Sequence, residues 1–522
     1  MAEIDTTELH IGNEPQYFFD DGIIESVHNL TRTLHSPERI DANPIIRSDR
    51  PWEYVTYFTA NGSQVWRDPS TGRFHCLYQS WRFNRDKRAP GTSLVGWPHS
   101  HLRQCYAYSD DGARWVKPPM GIQEEDGHDT NIVFGSETFG TCYSMYGVEN
   151  PFEEDPAKRF KAIYTHVAPG KAGASVKGAA YSADCIHWTP YDQVPTFGKM
   201  GGRLGDVFQG AFDPVSRTYT ALTRHSWMCN APHTSGPSAD LVMGGPAFDI
   251  AIGPANRRNR RRIFQIESSD FMNWSEPRAI LAPDPEIDNL DDALYSMTPM
   301  WLGGQWLGFI NMFHMVSNTF TVQLAHSRDG KHWRRVEPGR TWLGRGPAGS
   351  WEQFMVSISS PPLVVGDEMW VYYGGAKNHH DWWVSGEGLD VPEARGWDHV
   401  GYALGLAKTR KDGFISIGAN EVREGMLETQ PFGSSGNRLI INAACGPGGY
   451  IKTEVVDQLG NVLPGNGLDD CDVFSGDSVR QEVTWKGDAT ALVPGGDYDA
   501  RTYRRLRFVM RNAELYSFRM GQ

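Results

Sequence analysis

The sequence predicts an all-β protein, a five-bladed β-propeller followed by a C-terminal β-sandwich, and three observations lead there. A tryptophan turn recurs, as "SDDGARW" ending at Trp115, "SADCIHW" at Trp188, "SSDFMNW" at Trp274, "SRDGKHW" at Trp333 and a weaker "TRKDGF" at Phe414. A strand-turn-strand pattern recurs upstream of these turns. The 56 Gly, 32 Pro and 18 Trp among 522 residues, with 12% aromatics, favour short strands and tight turns over long helices.

In chain order, residues 1–50, with "YFFDDGIIES", are expected to form an extension that packs on the propeller or closes its ring. Residues 51–414 carry the repeats. "WRDPSTGRFHCLY", "FEEDPAKRFKAIY", "AFDPVSRTYTAL", "WLGGQWLGF" and "VVGDEMWVYY" each read as strand, tight turn, strand, because Asp-Pro and Gly-Gly start turns that a sheet interior rejects. The tryptophan turns lie 59 to 86 residues apart, which suits a constant unit with loops of varying length. Each turn is expected to close the outer hairpin of a blade, its Trp filling the space against a neighbour. From 415 to 522, "RLIINAA", "GYIKTEVVD", "SVRQEVTW" and "RRLRFVM" alternate like sandwich strands.

Charge and termini narrow the functional classes. A net charge of −13 argues against a nucleic-acid partner, and the basic run "NRRNRRR" at 256–262 reads as a solvated loop. The amino terminus has no apolar stretch, and no window reaches the ~18 uninterrupted apolar residues of a membrane span. The expectation is a cytoplasmic protein without a membrane partner, with homo-oligomerisation left open. Seven cysteines without a C-x-x-C pair suit reduced thiols.

Propeller geometry sorts the polar residues. The first strand of a blade starts at one mouth of the channel and the second strand ends there, so both ends face one site. Asp68, Asp155, Asp213 and Asp367 fall in the turns at the opposite mouth and read as turn formers. The strand starts carry Glu53, Asn131, Asp206, Asp292 and Glu352, with Gln209 on the same strand as Asp206. Glu53 and Glu352 each follow a Trp and stand at the same distance from their turns, so a structural role for the pair weighs evenly against a catalytic one. The second strands end in Trp81, His166, Arg224 with His225, His314, and His379 with His380; four of the histidines lie 11 or 12 residues beyond their turns. Trp382 follows in a long loop. Carboxylates and imidazoles bind hydroxyls and indoles stack on sugar faces, so the expected partner is a small carbohydrate. Two carboxylates can divide glycoside cleavage between proton donor and nucleophile or base.

"SSDFMNW", "SRDGKHW", the strand-turn repeat and the trailing alternating strands resemble the five-bladed β-propeller glycosidases of glycoside hydrolase families 32, 43 and 68, which include β-fructosidases and arabinofuranosidases. "RPWE", "YYGG" and "DCDVFSGDSVR" further resemble a divergent bacterial branch labelled family 32-like. The resemblance implies an acid on the innermost strand of three successive blades, by position Glu53, Asp206 and Asp292, and a furanoside substrate. The expected activity is therefore a glycosidase without a resident cofactor. Asp206 is its essential carboxylate, Asp292 or Glu352 the proton donor, and Glu53 the nucleophile or base; His225, His314 and His379 hold the sugar. Two alternatives remain at this stage: a metal-dependent hydrolase or lyase with a divalent cation on the His and carboxylate ring, and a carbohydrate-binding propeller without chemistry.

Overall fold

The four strong tryptophan turns are built from the same local bonds. In the four strong copies the serine hydroxyl (Ser109, Ser182, Ser268, Ser327) donates to the aspartate two residues on at 3.0–3.1 Å. That aspartate (Asp111, Asp184, Asp270, Asp329) accepts the backbone N–H groups two and three residues further at 2.7–2.9 Å. The residue between them turns left-handed: Gly112, Cys185, Phe271 and Gly330 have φ of 76°, 63°, 70° and 70°; in the weak copy it is the aspartate itself, Asp412, that turns left-handed, at 57°. The indole N–H then closes the turn onto the carbonyl of that residue in Trp188, Trp274 and Trp333. The motif persists because its bonds are local and need only a serine and an aspartate at fixed offsets.

The computed structural model describes residues 9–53, 55–59, 62–83, 100–135, 142–167, 175–198, 204–225, 261–289, 292–314, 317–380, 401–434, 436–457, 459–491 and 503–522. They are all-β apart from a single 3₁₀ turn, Pro156–Lys158, capped by Asp155. Five largely antiparallel groups of strands follow one another, called here the first to fifth sheets; the fourth and fifth are joined into one ten-stranded sheet by a parallel pairing at Phe320 and Met355. The first has Val55–Tyr57, Ser63–Arg67, Phe74–Phe83, Ser100–Ser109 and Ile132–Phe134; the second Cys142–Glu149, Phe160–Val167, Ser175–Ser182 and Thr189–Pro190; the third Leu204–Asp213, Thr218–His225, Ile263–Ser268 and Arg278–Leu281. The fourth has Asp292–Trp301, Trp306–His314, Thr319–Ser327 and Arg334–Val336, and the fifth Met355–Ser357, Leu363–Val365, Glu368–Ala376 and Tyr402–Arg410.

Side chains bond each sheet to the next. Gln64 exchanges two bonds with Gly147, Asn150 and Lys161 bond Tyr219, Gln265 donates to the Gly330 carbonyl, and Asn311 exchanges two bonds with Ile358. The fifth sheet returns to the first, where Thr56 donates to the Tyr402 carbonyl at 3.2 Å. The "YYGG" segment belongs to that seam: a Cβ on Gly374 would stand 2.2 Å from the Phe58 carbonyl oxygen, so only glycine lets the sheets approach. Trp274 packs with Tyr146 and Ile163 of the second sheet, and Trp333 with Leu222 and Ile263 of the third, so these indoles fill the space between neighbouring sheets.

Residues 415–522 do not stand alone. Their two long strands, Arg438–Asp457 and Arg504–Gly521, pair along most of their length, and residues 9–34 complete the same ten-stranded hydrogen-bonded network. Leu9–Ile11, Gln16–Tyr17, Ile24–His28 and Thr31–Leu34 pair with Phe432–Ser434, Arg504–Gly521, Gly425–Thr429 and Ile415–Ala419. The chain then crosses to the fifth sheet, where Glu38–Arg39 and Ile46–Arg47 pair with Tyr402–Arg410. One hydrophobic core joins the tail network to the fourth and fifth sheets, with Phe309, Trp342 and Phe414 packed alongside Leu427, Phe508 and Phe518.

Candidate functional site

Strand register places the histidines. His166 lies opposite Cys142, His225 opposite Leu204 and His314 opposite Asp292, each partner being the first residue of its sheet's first strand. His379 and His380 come just past Ala376, which lies opposite Met355. All five therefore stand at the rim formed by the strand starts. The first strands of the second, third and fourth sheets also break register near that rim, at Tyr143/Tyr146, Leu204/Phe208 and Leu294/Ser296. Such bulges re-aim side chains where a strand meets a site. Asp206 is the third residue of Leu204–Asp213. The side chains of Asp206, His166 and His225, and the whole of Trp382, lie outside the described residues.

Asp292 and His314 form the centre of what is described. The imidazole Nδ1 is 2.6 Å from the Asp292 carboxylate, and Nε2 is 2.8 Å from the Thr321 hydroxyl. Asn289 donates twice more to Asp292, from its backbone at 3.0 Å and its amide at 3.1 Å. Burial alone would raise this carboxyl; the His314 bond and charge and the two Asn289 bonds outweigh it and hold it below the ordinary aspartate value. The carboxylate is thus ionised at neutral pH, suited to act as base or nucleophile rather than proton donor.

Cations and rings surround this pair. The Arg224 and Arg261 guanidinium carbons lie 4.3 and 4.5 Å from the centroid of Tyr295, the residue at the bulge of the fourth sheet. The buried His380 ring packs 5.0 Å from Tyr295 and 4.7 Å from Phe313. His379 meets Phe354 at 3.9 Å, its Nδ1 3.0 Å from the Ser317 carbonyl. Only Arg261 and Arg262 of the basic run lie among the described residues; they are half-buried just ahead of Ile263–Ser268 rather than solvated, and the Arg261 carbonyl accepts the Leu294 N–H.

Glu53 and Glu352 stand elsewhere. The Glu53 side chain is fully enclosed, with the Lys117 ammonium at 2.7 Å, the backbone N–H groups of Asp49 and Arg50, and the Tyr78 hydroxyl donating to it. Asn131 belongs to the same cluster, accepting from the Trp52 indole and donating to Tyr78 and the Tyr106 carbonyl. Glu352 is buried against Arg39 at 2.8 Å, and Arg39 also covers the Tyr373 ring. The repeated Trp-Glu thus builds one arrangement twice: a buried glutamate, a cation from a distant segment and a tyrosine. Trp81 stacks on Tyr57 at 4.7 Å with its indole on Gln79, and Gln209 is buried opposite Leu222. Neither indole nor amide is open to a ligand at these burials.

Tyr295, Arg261, Asn289 and Thr321 carried no repeat or motif that sequence reasoning could use. The one available signal was position, since Tyr295 lies three residues beyond Asp292. Among the described residues no three His, Cys, Asp or Glu groups converge in a way that would hold a metal ion. No described helix is long and apolar enough to cross a membrane.

No family model matches the chain. No curated protein matches it either. Solved structures similar to it include a β-1,2-mannobiose phosphorylase from Listeria innocua, at 13% identity over 73% of this chain and 97% of that one, with a TM-score of 0.43. An N-acetylgalactosamine deacetylase from F. plautii is 15% identical over 72% and 95%, TM-score 0.42. A glycosyl hydrolase from Bacteroides ovatus is 12% identical over 72% and 94%, TM-score 0.41.

Proposed function

We propose that this chain is a glycoside-cleaving enzyme whose five sheets are the blades of a propeller and whose active site lies at the strand-start rim. The observation that carries this reading is Asp292, held ionised by His314 directly opposite it and by Asn289. Asp206 is the third residue of the first strand of the adjacent sheet, which packs against the strand that Asp292 begins. Two carboxylates on neighbouring first strands supply the two roles of glycoside cleavage: Asp292 as nucleophile or base, Asp206 as proton donor. Arg224 and His379 line the rim as hydroxyl ligands, His314 orients Asp292, and the buried His380 packs behind them. Glu53 and Glu352 leave the catalytic set, because a glutamate enclosed with its own cation has no path to a substrate. The furanoside preference, the cytoplasmic setting and the absence of a resident cofactor are taken from the sequence and its resemblance.

The test is release of reducing sugar from a panel of furanosides and pyranosides by the parent chain, Asp206→Asn and Asp292→Asn, each with and without chelator. Chelator-resistant cleavage that both substitutions abolish supports the reading. Cleavage that survives Asp292→Asn overturns it, and cleavage that chelator removes moves the chemistry to a metal.

A further inference from the structure

The "DCDVFSGDSVR" segment contributes nothing to the candidate active site, yet most of its polar side chains are engaged in structure. Asp470 pairs with Lys486, Asp472 accepts from Thr484 and Gly487, and Asp477 pairs with Arg410, which also bonds Asn442 and Ala443. Arg480 is the charged exception. Among the described residues its guanidinium makes no ion pair or side-chain hydrogen bond, and it lines, exposed, a cavity of about 430 Å³ between the tail network, the N-terminal strands and the turns of the fourth and fifth sheets.

Six charged side chains line that cavity: Glu14, Asp367 and Asp412 against Lys411, Arg480 and Arg519. Three positive and three negative charges cancel, and none of the six is in an ion pair among the described residues. Donors and acceptors of both signs therefore line one space. Tyr17 bonds Asp412 from the wall, and Trp301 lines the same space half-buried, its edge on Trp306 at 5.2 Å. A second cavity of about 420 Å³ continues from the first, sharing Ile440, Arg480 and Arg519 and bordered by the Arg438–Glu482 ion pair. Each volume falls in the range of small-ligand sites, and the two together form an elongated groove.

We propose that this groove binds a neutral oligosaccharide or polysaccharide chain. Zero net charge excludes a strongly charged ligand, separated donors and acceptors suit hydroxyls that both give and take hydrogen bonds, an indole suits a sugar face, and the elongated shape suits a polymer. The groove lies at the end of Asp292–Trp301 opposite to Asp292, roughly 30 Å away along a ten-residue strand. It is therefore separate from the proposed active site and holds polymer rather than cleaving it.

The test is affinity electrophoresis of the full chain in native gels containing arabinan, levan, mannan or polygalacturonate. Asp292→Asn serves as the background, so that binding is read whether or not the bond-cleaving proposal holds. Retardation by a neutral polymer, weakened ~10-fold or more by Arg480→Gln and by Trp301→Ala, is expected, since each removes a charged or stacking contact. Arg480 is exposed, so Arg480→Gln leaves the fold intact, and an unchanged melting temperature confirms it. Absence of retardation by every polymer, retardation by polygalacturonate alone, or retardation that both substitutions leave unchanged overturns the proposal.

Discussion

Asp292 shows how one carboxylate is prepared by its neighbours. Asp292→Asn is expected to lower kcat by ~10²–10⁴-fold, the usual weight of a positioned acid or base. His314→Asn removes the bond and charge that oppose burial, so the Asp292 carboxyl rises and the acid limb of kcat/KM moves to higher pH; a pH-rate profile reads the shift. The sign for stability is the same: the ionised carboxylate stabilises the fold above the unfolded aspartate value of about 3.9, and that contribution is lost as pH falls through the lowered folded value. Glu53 is the contrasting case. Lys117→Met leaves an enclosed carboxylate without its cation, which costs about 3–5 kcal/mol. Urea unfolding should show that loss while activity per folded molecule is unchanged, whereas a catalytic Glu53 would lose turnover in the folded fraction.

At the scale of the element, the tryptophan turn is the most self-contained part of the molecule. Burial works against the Asp270 charge, but the backbone N–H of Asn273, its side-chain amide, Met272 and Ser268 together lower its carboxyl to about 2. Stability from this turn is therefore present above the unfolded value near pH 3.9 and lost as pH falls toward 2. Asp270→Ala is expected to cost about 1 kcal/mol, as loss of a side-chain cap does, and to flatten the acid limb of the thermal-unfolding curve. The turn was legible because each bond joins residues two or three apart. The histidine register was legible to within one residue: counting from the Gly-Gly turn puts His314 opposite Ala293, and the bulge at Leu294/Ser296 moves its partner to Asp292. The Trp-Glu repeat was visible too, but its purpose depends on cations 64 and 313 residues away.

At the scale of the whole molecule, the tail and the five sheets share a core, and residues 9–34 are strands of the tail network. Unfolding should accordingly be a single calorimetric transition. Two resolved transitions would show that the tail folds independently of the sheets. Deleting residues 9–34 exposes unpaired edges along Ile415–Ala419 and Gly425–Thr429, and light scattering should then report association that the parent chain lacks.

By itself the sequence determined the all-β class, the turn chemistry and, to within one residue, the strand register. Each rests on contacts over a few residues or on the two-residue period of a strand, which any reader can count. The tertiary structure alone decided which carboxylates are consumed by cations, that Tyr295 and Arg261 join the rim, and that the N-terminal strands complete the tail. Those depend on which segments approach from far along the chain, and a buried charge is catalytic or structural only according to what arrives beside it.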